Sequence, residues 1–535
     1  MQPEFRLLYP AGYDKTTKKG MPDYGFIHSL QLDDMILFVK ESFRGVNDLS
    51  LEDFFTTDEE VIRYRLDVVE EILLHPEVYE MFQKSLPLIY HINEMRRSFN
   101  SDFTTESALS SVRYLELYQE IVNLFYNSLK DIAFESAGMK SFQMQMTELV
   151  ESPEYRNLNT ELQKMSFNFG HIKSVTIGIN LNEQLQVRDA GIVSVNQQEF
   201  KAGSIMDRLL KKDETDNYSL MSALYPLDKG LRREEYKVTN ATMNVVLNTI
   251  FNRSLRHFEP LIQKYFNANT VSFLNLLEDI RFLVAGVGYI REMRAKGFAM
   301  CKPEIYPMDE KVCSMEDLYN PVLASKAIEH TIVANSFSFD ENGRFYLVTG
   351  PNHGGKSIFA YSVGMAQGLF QLGLFVPAKE AKMSPVSGIF THFPSSDENN
   401  YGKGRLESEC VRLSEIMKQL RSTDMLLMDE SFSSTSGLEA GYIASEVLTG
   451  IGVIGCCGVY VTHIHDLTQQ TGRFNSHPEN KGKIDNLVAQ MENIEHGTRS
   501  YKVTRTTPDG LSYARDIAKR HGLDLEQILK GKGEA

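Results

Sequence analysis

From Asp58 onward, apolar residues return at three- and four-residue steps: Val61, Tyr64, Val68, Val69, Ile72 and Leu73. That spacing gathers them on one face of a helix. Helical runs continue from Ser107 to Met165, as in the stretch Val112 to Tyr118. The period then changes to two. Ser174 to Leu181 alternates, and Gly191 to Val195 alternates again after a polar turn, which predicts a β-hairpin inserted between helices. Helical spacing resumes from Asn240 to Met300 and stops at Lys302-Pro303. Beyond 302, short apolar runs alternate with helical stretches until closing helices after Tyr513, an α/β pattern. Residues 1 to about 40 are aromatic and glycine-punctuated, with no clear period. The expected organisation is therefore an N-terminal segment (1–57), ascending helices (58–168), a β-rich insertion (169–240), returning helices (241–301) and an α/β domain (302–535).

Composition narrows the class. A chain of 535 residues, 42% hydrophobic and 24% charged, is an ordinary globular protein with room for several domains. A formal charge of −15 argues against a strongly cationic nucleic-acid binder, though not against a local basic groove. Five cysteines with no Cys-x-x-Cys pair fit a reducing compartment and offer no metal framework. Met1 to Pro10 lacks the features of a signal peptide. The apolar run Gly450 to Val461 is too short to span a bilayer and is expected to be a buried strand. These features predict a cytoplasmic protein with no membrane partner.

The strongest chemical signal is Gly350-Pro351-Asn352-His353-Gly354-Gly355-Lys356-Ser357. It fits the phosphate-loop pattern and stands between a strand-like run, Arg344 to Val348, and a helix-like stretch, Ser357 to Leu374. Glycines let backbone N–H groups turn inward round a phosphate, and the helix N-terminus and Lys356 add positive charge. Ser357 is placed to hold Mg²⁺. Downstream, the apolar run Met425 to Met428 ends in Asp429-Glu430. In a phosphate-loop ATPase, Asp429 would bind Mg²⁺ and Glu430 would polarise the attacking water. A further buried strand, Val459 to Val461, leads to Thr462-His463, where His463 is expected to sense the terminal phosphate or orient the water. His353 should lie beside the phosphates without a catalytic role, and His465 is the weaker candidate. The loop Ser431 to Gly437 is either a surface linker or an interface near nucleotide. The fold class expected is an α/β phosphate-loop ATPase domain, ABC-like, preceded by a mainly helical region with a β-rich insertion.

The loop closely resembles that of the MutS mismatch-repair ATPases. Gly373 to Ala378, the Leu427 to Glu430 strand end, Ser434-Thr435-Ser436, and Thr462-His463 with Asp466-Leu467-Thr468 agree in order and spacing. Leu511 to Ala518 and Gly522-Leu523 resemble the family's terminal helices. The resemblance implies ATP and Mg²⁺ as cofactors, a homodimer around ATP with Ser434, Thr435 and Ser436 at the nucleotide, and a lever carrying a clamp. Its departures are equally specific. The only Phe-x-Glu is Phe339-Asp340-Glu341, in an expected hairpin turn, so mismatch reading is not expected; nor is a terminal nuclease-like Smr domain. Gly404 and Arg405 stand where Ser-Thr is usual, in the segment that reaches a partner's nucleotide. Arg405 either replaces that contact as a charged finger or lies solvated. Ile332 occupies the place of the phenylalanine that stacks on adenine.

The function these features imply is an ATP-switched dimeric clamp on duplex or branched DNA. The alternatives are a MutS-related ATPase gripping ribosomes or another structured RNA, and an ABC- or SMC-like tether. The last would need sustained heptads, which the β insertion interrupts. Nucleic-acid contact is expected at Lys211-Lys212 and Arg232-Arg233 near the tip, unless Asp213, Glu214, Glu234 and Glu235 make those pairs a solvated face.

Overall fold

The computed structural model describes residues 5–13, 21–33, 49–97, 105–169, 174–184, 187–196, 271–326, 332–394, 404–493 and 498–506. The insertion beyond Asn196 with both basic pairs, the returning helices before Val271 and the closing helices after 506 lie outside the described residues. In chain order the helices are α1 (Gly25–Ser29), α2 (Glu59–Leu74), α3 (Pro76–Arg97), α4 (Thr105–Leu129), α5 (Ala137–Glu151), α6 (Pro153–Phe169), α7 (Val271–Ala295), α8 (Pro321–Lys326), α9 (Lys356–Leu372), α10 (Arg405–Gln419), α11 (Gly437–Ile454), α12 (His465–Thr468) and α13 (Thr471–Asn475). The strands are β1 (Ser174–Leu181), β2 (Val187–Asn196), β3 (Glu304–Ile305), β4 (Cys313–Leu318), β5 (Asn335–Phe339), β6 (Phe345–Thr349), β7 (Glu380–Met383), β8 (Ile389–His392), β9 (Met425–Asp429), β10 (Cys457–Val461), β11 (Ile484–Asn493) and β12 (Thr498–Arg505).

The chain divides into two compact units. One takes residues Met1–Phe5, Glu80–Ala133 and Ser141–Leu277. Its described part is helices and one hairpin, and the helices enclose an aromatic core in which the Phe125 and Phe142 rings meet edge to face at 5.4 Å. Tyr118 and Tyr155 lie against each other at 6.3 Å. The hairpin read from the alternating pattern is present, β1 pairing antiparallel with β2.

The other unit takes Arg6–Tyr79, Phe134–Lys140 and Glu278–Ala535. This division differs from the sequence boundaries at 58 and 302, because α2 and α7 from Glu278 onward group with the α/β domain. The reason is visible in Arg65, a fully buried residue of α2. Its Nε donates to the carbonyl of Leu8 at 3.1 Å, and its Nη1 to those of Phe54 and Leu372. A buried guanidinium needs those acceptors, and they fix α2 against the end of α9. Helix α2 itself starts where expected, with Asp58 accepting from the Glu60 N–H at 3.1 Å as its cap.

Two sheets organise this unit. The six-stranded one runs β12-β11-β6-β10-β9-β8, all parallel except the edge strand β12. Strands β6, β9 and β10 are buried at every position, as uniformly apolar central strands require. The four-stranded sheet runs β3-β7-β4-β5. Here the expected hairpin fails. Asp340 and Gly343 close a tight turn, but β5 and β6 on either side of it enter different sheets. The run Gly450 to Val461 is likewise no single strand. Its first part ends α11, Gly455 breaks the helix at a φ of 75°, and only Cys457 to Val461 is strand. Among the described residues α11 alone is long and apolar enough to cross a membrane, yet Ala440, Ala444, Leu448 and Ile451 bury one face in the core.

Gly458 shows how tightly β10 is held. A Cβ there would fall 2.0 Å from the Leu426 carbonyl oxygen of β9. Gly458→Ala should cost roughly 2–4 kcal/mol of stability, since backbone of a central strand must shift. Thermal or urea unfolding checks this, and an unchanged midpoint would refute the packing described.

Candidate nucleotide-binding site

Strands β6, β10 and β9 are neighbours in register, Val461 pairing with Val348 on one side and Asp429 on the other. Their carboxyl ends therefore deliver the phosphate loop, Thr462-His463 and Asp429-Glu430 to one edge of the sheet, where ligands of open α/β sheets bind. The sequence placed these three groups separately; the sheet brings them together.

The loop has the backbone that its glycines permit. Gly350 has φ 131°, and a Cβ there would sit 2.8 Å from the Ala489 carbonyl oxygen. Gly355 has φ 89° and precedes α9, which begins at Lys356. His353 also adopts a positive φ, 58°. Lys356 is 5% exposed, and its Nζ donates to the carbonyls of Gly350 at 3.1 Å and Pro351 at 2.9 Å. An ammonium has three donors, so one remains to meet a ligand oxygen. Burial lowers the Lys356 pKa, while Glu430 and then Asp429 act in the opposite sense.

Ser357 Oγ donates to Asp429 Oδ1 at 3.0 Å. Burial raises the Asp429 pKa against that hydrogen bond. Tyr361, one helical turn after Ser357, also reaches Asp429 and stacks on Phe393 at 4.4 Å. Burial, then Asp429, pushes the Tyr361 pKa up, so its hydroxyl stays protonated as a donor. Glu430 has a left-handed φ of 47°, and its N–H donates to the Val461 carbonyl at 2.9 Å. Its carboxylate lies 2.6 Å from His463 Nε2, both side chains being about two-fifths exposed. Thus His463 contacts the carboxylate directly. His465 instead opens α12, its pKa lowered by burial, then by His463 and Lys356.

A cleft of about 860 Å³ adjoins the loop. Ile332 lines it together with Asn352, His353, Gly354, Gly355, Lys356, Ser357, Glu430 and His463. Tyr501 lines it too, a residue that the sequence reading missed. It has φ 56° and lies over Gly355. Asn335 fixes that irregular strand, donating to the Tyr501 carbonyl at 3.2 Å and accepting from the Val503 N–H at 2.7 Å. Tyr361 was also missed, although its spacing of four from Ser357 puts both on one helix face.

Arg405 and the hydroxyl loop do not line the cleft. Arg405 is the first residue of α10 and lies 3.7 Å from Glu409. Hydroxyls of the Ser431 to Ser436 loop have partners within the chain. Ser436 caps α11, Thr435 and Ser436 both donate to Glu439, and Ser431 meets His392.

The donors fit a magnesium nucleotide. The loop leaves room only for hydrogen at Gly350, a buried ammonium keeps one donor in hand, and a hydroxyl and carboxylate stand paired beside it. Fold and site together define a phosphate-loop nucleotide-binding domain of the parallel-sheet type. The family model for MutS domain V matches residues 346–529, and that for the MutS2 N-terminal domain matches residues 57–296. The chain belongs to the MutS family. Similar proteins include the DNA mismatch repair protein MutS of Clostridium kluyveri, 24% identical over 88% of this chain and 55% of that protein. The DNA mismatch repair protein MSH2 of Saccharomyces cerevisiae is 23% identical over 84% of this chain and 50% of its own length. MutS of Prochlorococcus marinus strain MIT 9301 reaches 31% identity over 40% of this chain. The chain spans about half the length of the first two relatives.

Proposed function

We propose that the chain is an ATPase that binds duplex or branched DNA as a homodimer and switches its grip with ATP. The observation that carries this is the convergence of Lys356, the Ser357–Asp429 pair and the Glu430–His463 pair at three adjacent strand ends. Lys356 and the loop N–H groups hold the phosphates. Ser357 and Asp429 hold Mg²⁺, which supplies neutralisation of developing phosphate charge when bound. Glu430 accepts the proton of the attacking water, and His463 orients the carboxylate. Ile332 and Tyr501 flank the base.

The dimer is supported by the outer face of α11, where Leu438 is 87% and Tyr442 72% exposed beside the Ser434-Thr435-Ser436 turn. A second copy of the chain would cover these side chains and bring the turn, and Arg405, toward the nucleotide of its partner. Glu430→Gln should sediment as a dimer with ATP and Mg²⁺ at micromolar concentration. A monomer in both conditions would end the composite-site reading. The helical unit with its hairpin serves in this reading as lever and clamp. The names of the relatives support DNA as the partner. Binding of labelled duplex, branched DNA and ribosomal RNA, with and without ATP, tests the choice. DNA binding that changes with nucleotide supports it, and binding to RNA alone transfers the protein to translation.

A further inference from the structure

His392 is the last residue of β8 and is 1% exposed. Its Nε2 lies 3.2 Å from the Glu409 carbonyl of α10, and its Nδ1 lies 2.7 Å from Ser431 Oγ. A carbonyl only accepts, so Nε2 carries the proton. Nδ1 must then accept from the Ser431 hydroxyl. Burial, then the charge of Arg412, lowers the ring's pKa to about 4, which keeps it neutral and the tautomer fixed.

Ser431 directly follows Glu430. Glu430 and Phe432 on either side of it have left-handed φ values of 47° and 67°, a backbone that side chains disfavour. Something must hold that turn. Tyr460 donates to the Ser431 carbonyl at 3.1 Å, and His392 grips its hydroxyl. A buried neutral histidine is ordinarily a piece of core. This one differs because its side-chain hydrogen bond goes to the residue next to the water-activating carboxylate.

We infer that His392 is a positioning residue: it ties α10 to Ser431 and thereby fixes the strained turn that presents Glu430 to the cleft. The inference rests on the ATPase reading of the same site. It adds a path from Glu409 of α10, the helix that Arg405 opens, through the end of β8 to the catalytic carboxylate.

The test uses the full chain. ATP hydrolysis by the wild-type protein is measured first; its absence overturns the proposed function and this inference with it. Given hydrolysis, Ser431→Ala should lower kcat about tenfold, the size of effect expected when a reacting group is slightly misplaced, with the ATP Kd within about twofold. His392→Asn places an amide oxygen where Nδ1 stood and should keep turnover within about threefold of wild type. His392→Gln reaches toward Glu409 but loses Ser431, and should fall about tenfold. Independently of turnover, the ¹⁵N spectrum should show His392 at neutral pH as a neutral ring protonated on Nε2, its Nδ1 signal shifting in Ser431→Ala. Wild-type turnover in Ser431→Ala overturns the inference. So does equal loss of turnover in both His392 variants with lowered melting temperatures, the signature of a core residue only. A ring protonated on Nδ1 overturns it as well.

Discussion

Lys356→Ala should weaken ATP binding by about 10²-fold or more. The lysine is the cation that the loop brings to the phosphates, and it is almost wholly buried. Without it, the phosphate oxygens would face Asp429 and Glu430 with no ammonium between them. A charge-assisted hydrogen bond contributes roughly 1.5–3 kcal/mol, and the lost screening of two nearby carboxylates adds to it. The fold should survive, because Lys356 Nζ bonds only to the carbonyls of its own loop. Calorimetric titration with ATP and Mg²⁺ measures the effect, and an affinity within threefold of wild type would remove the loop from nucleotide binding.

Glu430→Gln should leave ATP affinity nearly unchanged and slow hydrolysis about 10²-fold or more, as loss of a general base does. The substitution isolates chemistry from structure for two reasons. Glutamine has the same length and can keep a hydrogen bond to His463, now 2.6 Å from the carboxylate. It also suits the left-handed φ of 47° no worse than glutamate, so the turn's strain is unaltered. Only the capacity to take a proton is lost. Single-turnover hydrolysis beside equilibrium binding separates the two terms. A variant that turns over at the wild-type rate would pass the role of base to another group, His463 first.

Much of the site could be read from the chain because its parts are local. The phosphate loop, the Asp429-Glu430 strand end and Thr462-His463 each follow an apolar run, and a run of that kind is a strand wherever it pairs. Which strands pair is another matter. Nothing in Phe337, Phe339 or Phe345 says that the turn between them separates two sheets, since both runs alternate or bury alike. Gly450 to Val461 misled because a uniformly apolar stretch has no period to tell helix from strand. His392 carried no signal at all: its partners, Glu409 and Ser431, are brought to it by pairing and packing. Tyr361 was recoverable from helix spacing; Tyr501 was not, since its place depends on an irregular edge strand.

The position of β6 has a consequence for how the protein comes to exist. This strand carries the phosphate loop, yet Phe345 pairs with Gly458 on one side and with Ile484 on the other. Both neighbours are synthesised long after it. The nascent chain must therefore hold an apolar strand with two open edges until β10 emerges, and with one until residues beyond 484 leave the ribosome, a non-local closure that is slow and exposed to misassociation. The first helices of the other unit meet one another at much shorter sequence separation, as Phe125 meets Phe142 and Tyr118 meets Tyr155, and can form earlier. Fragments ending before β10 should accordingly be recovered as aggregates, whatever nucleotide is supplied, while those ending after β11 can complete the sheet's centre.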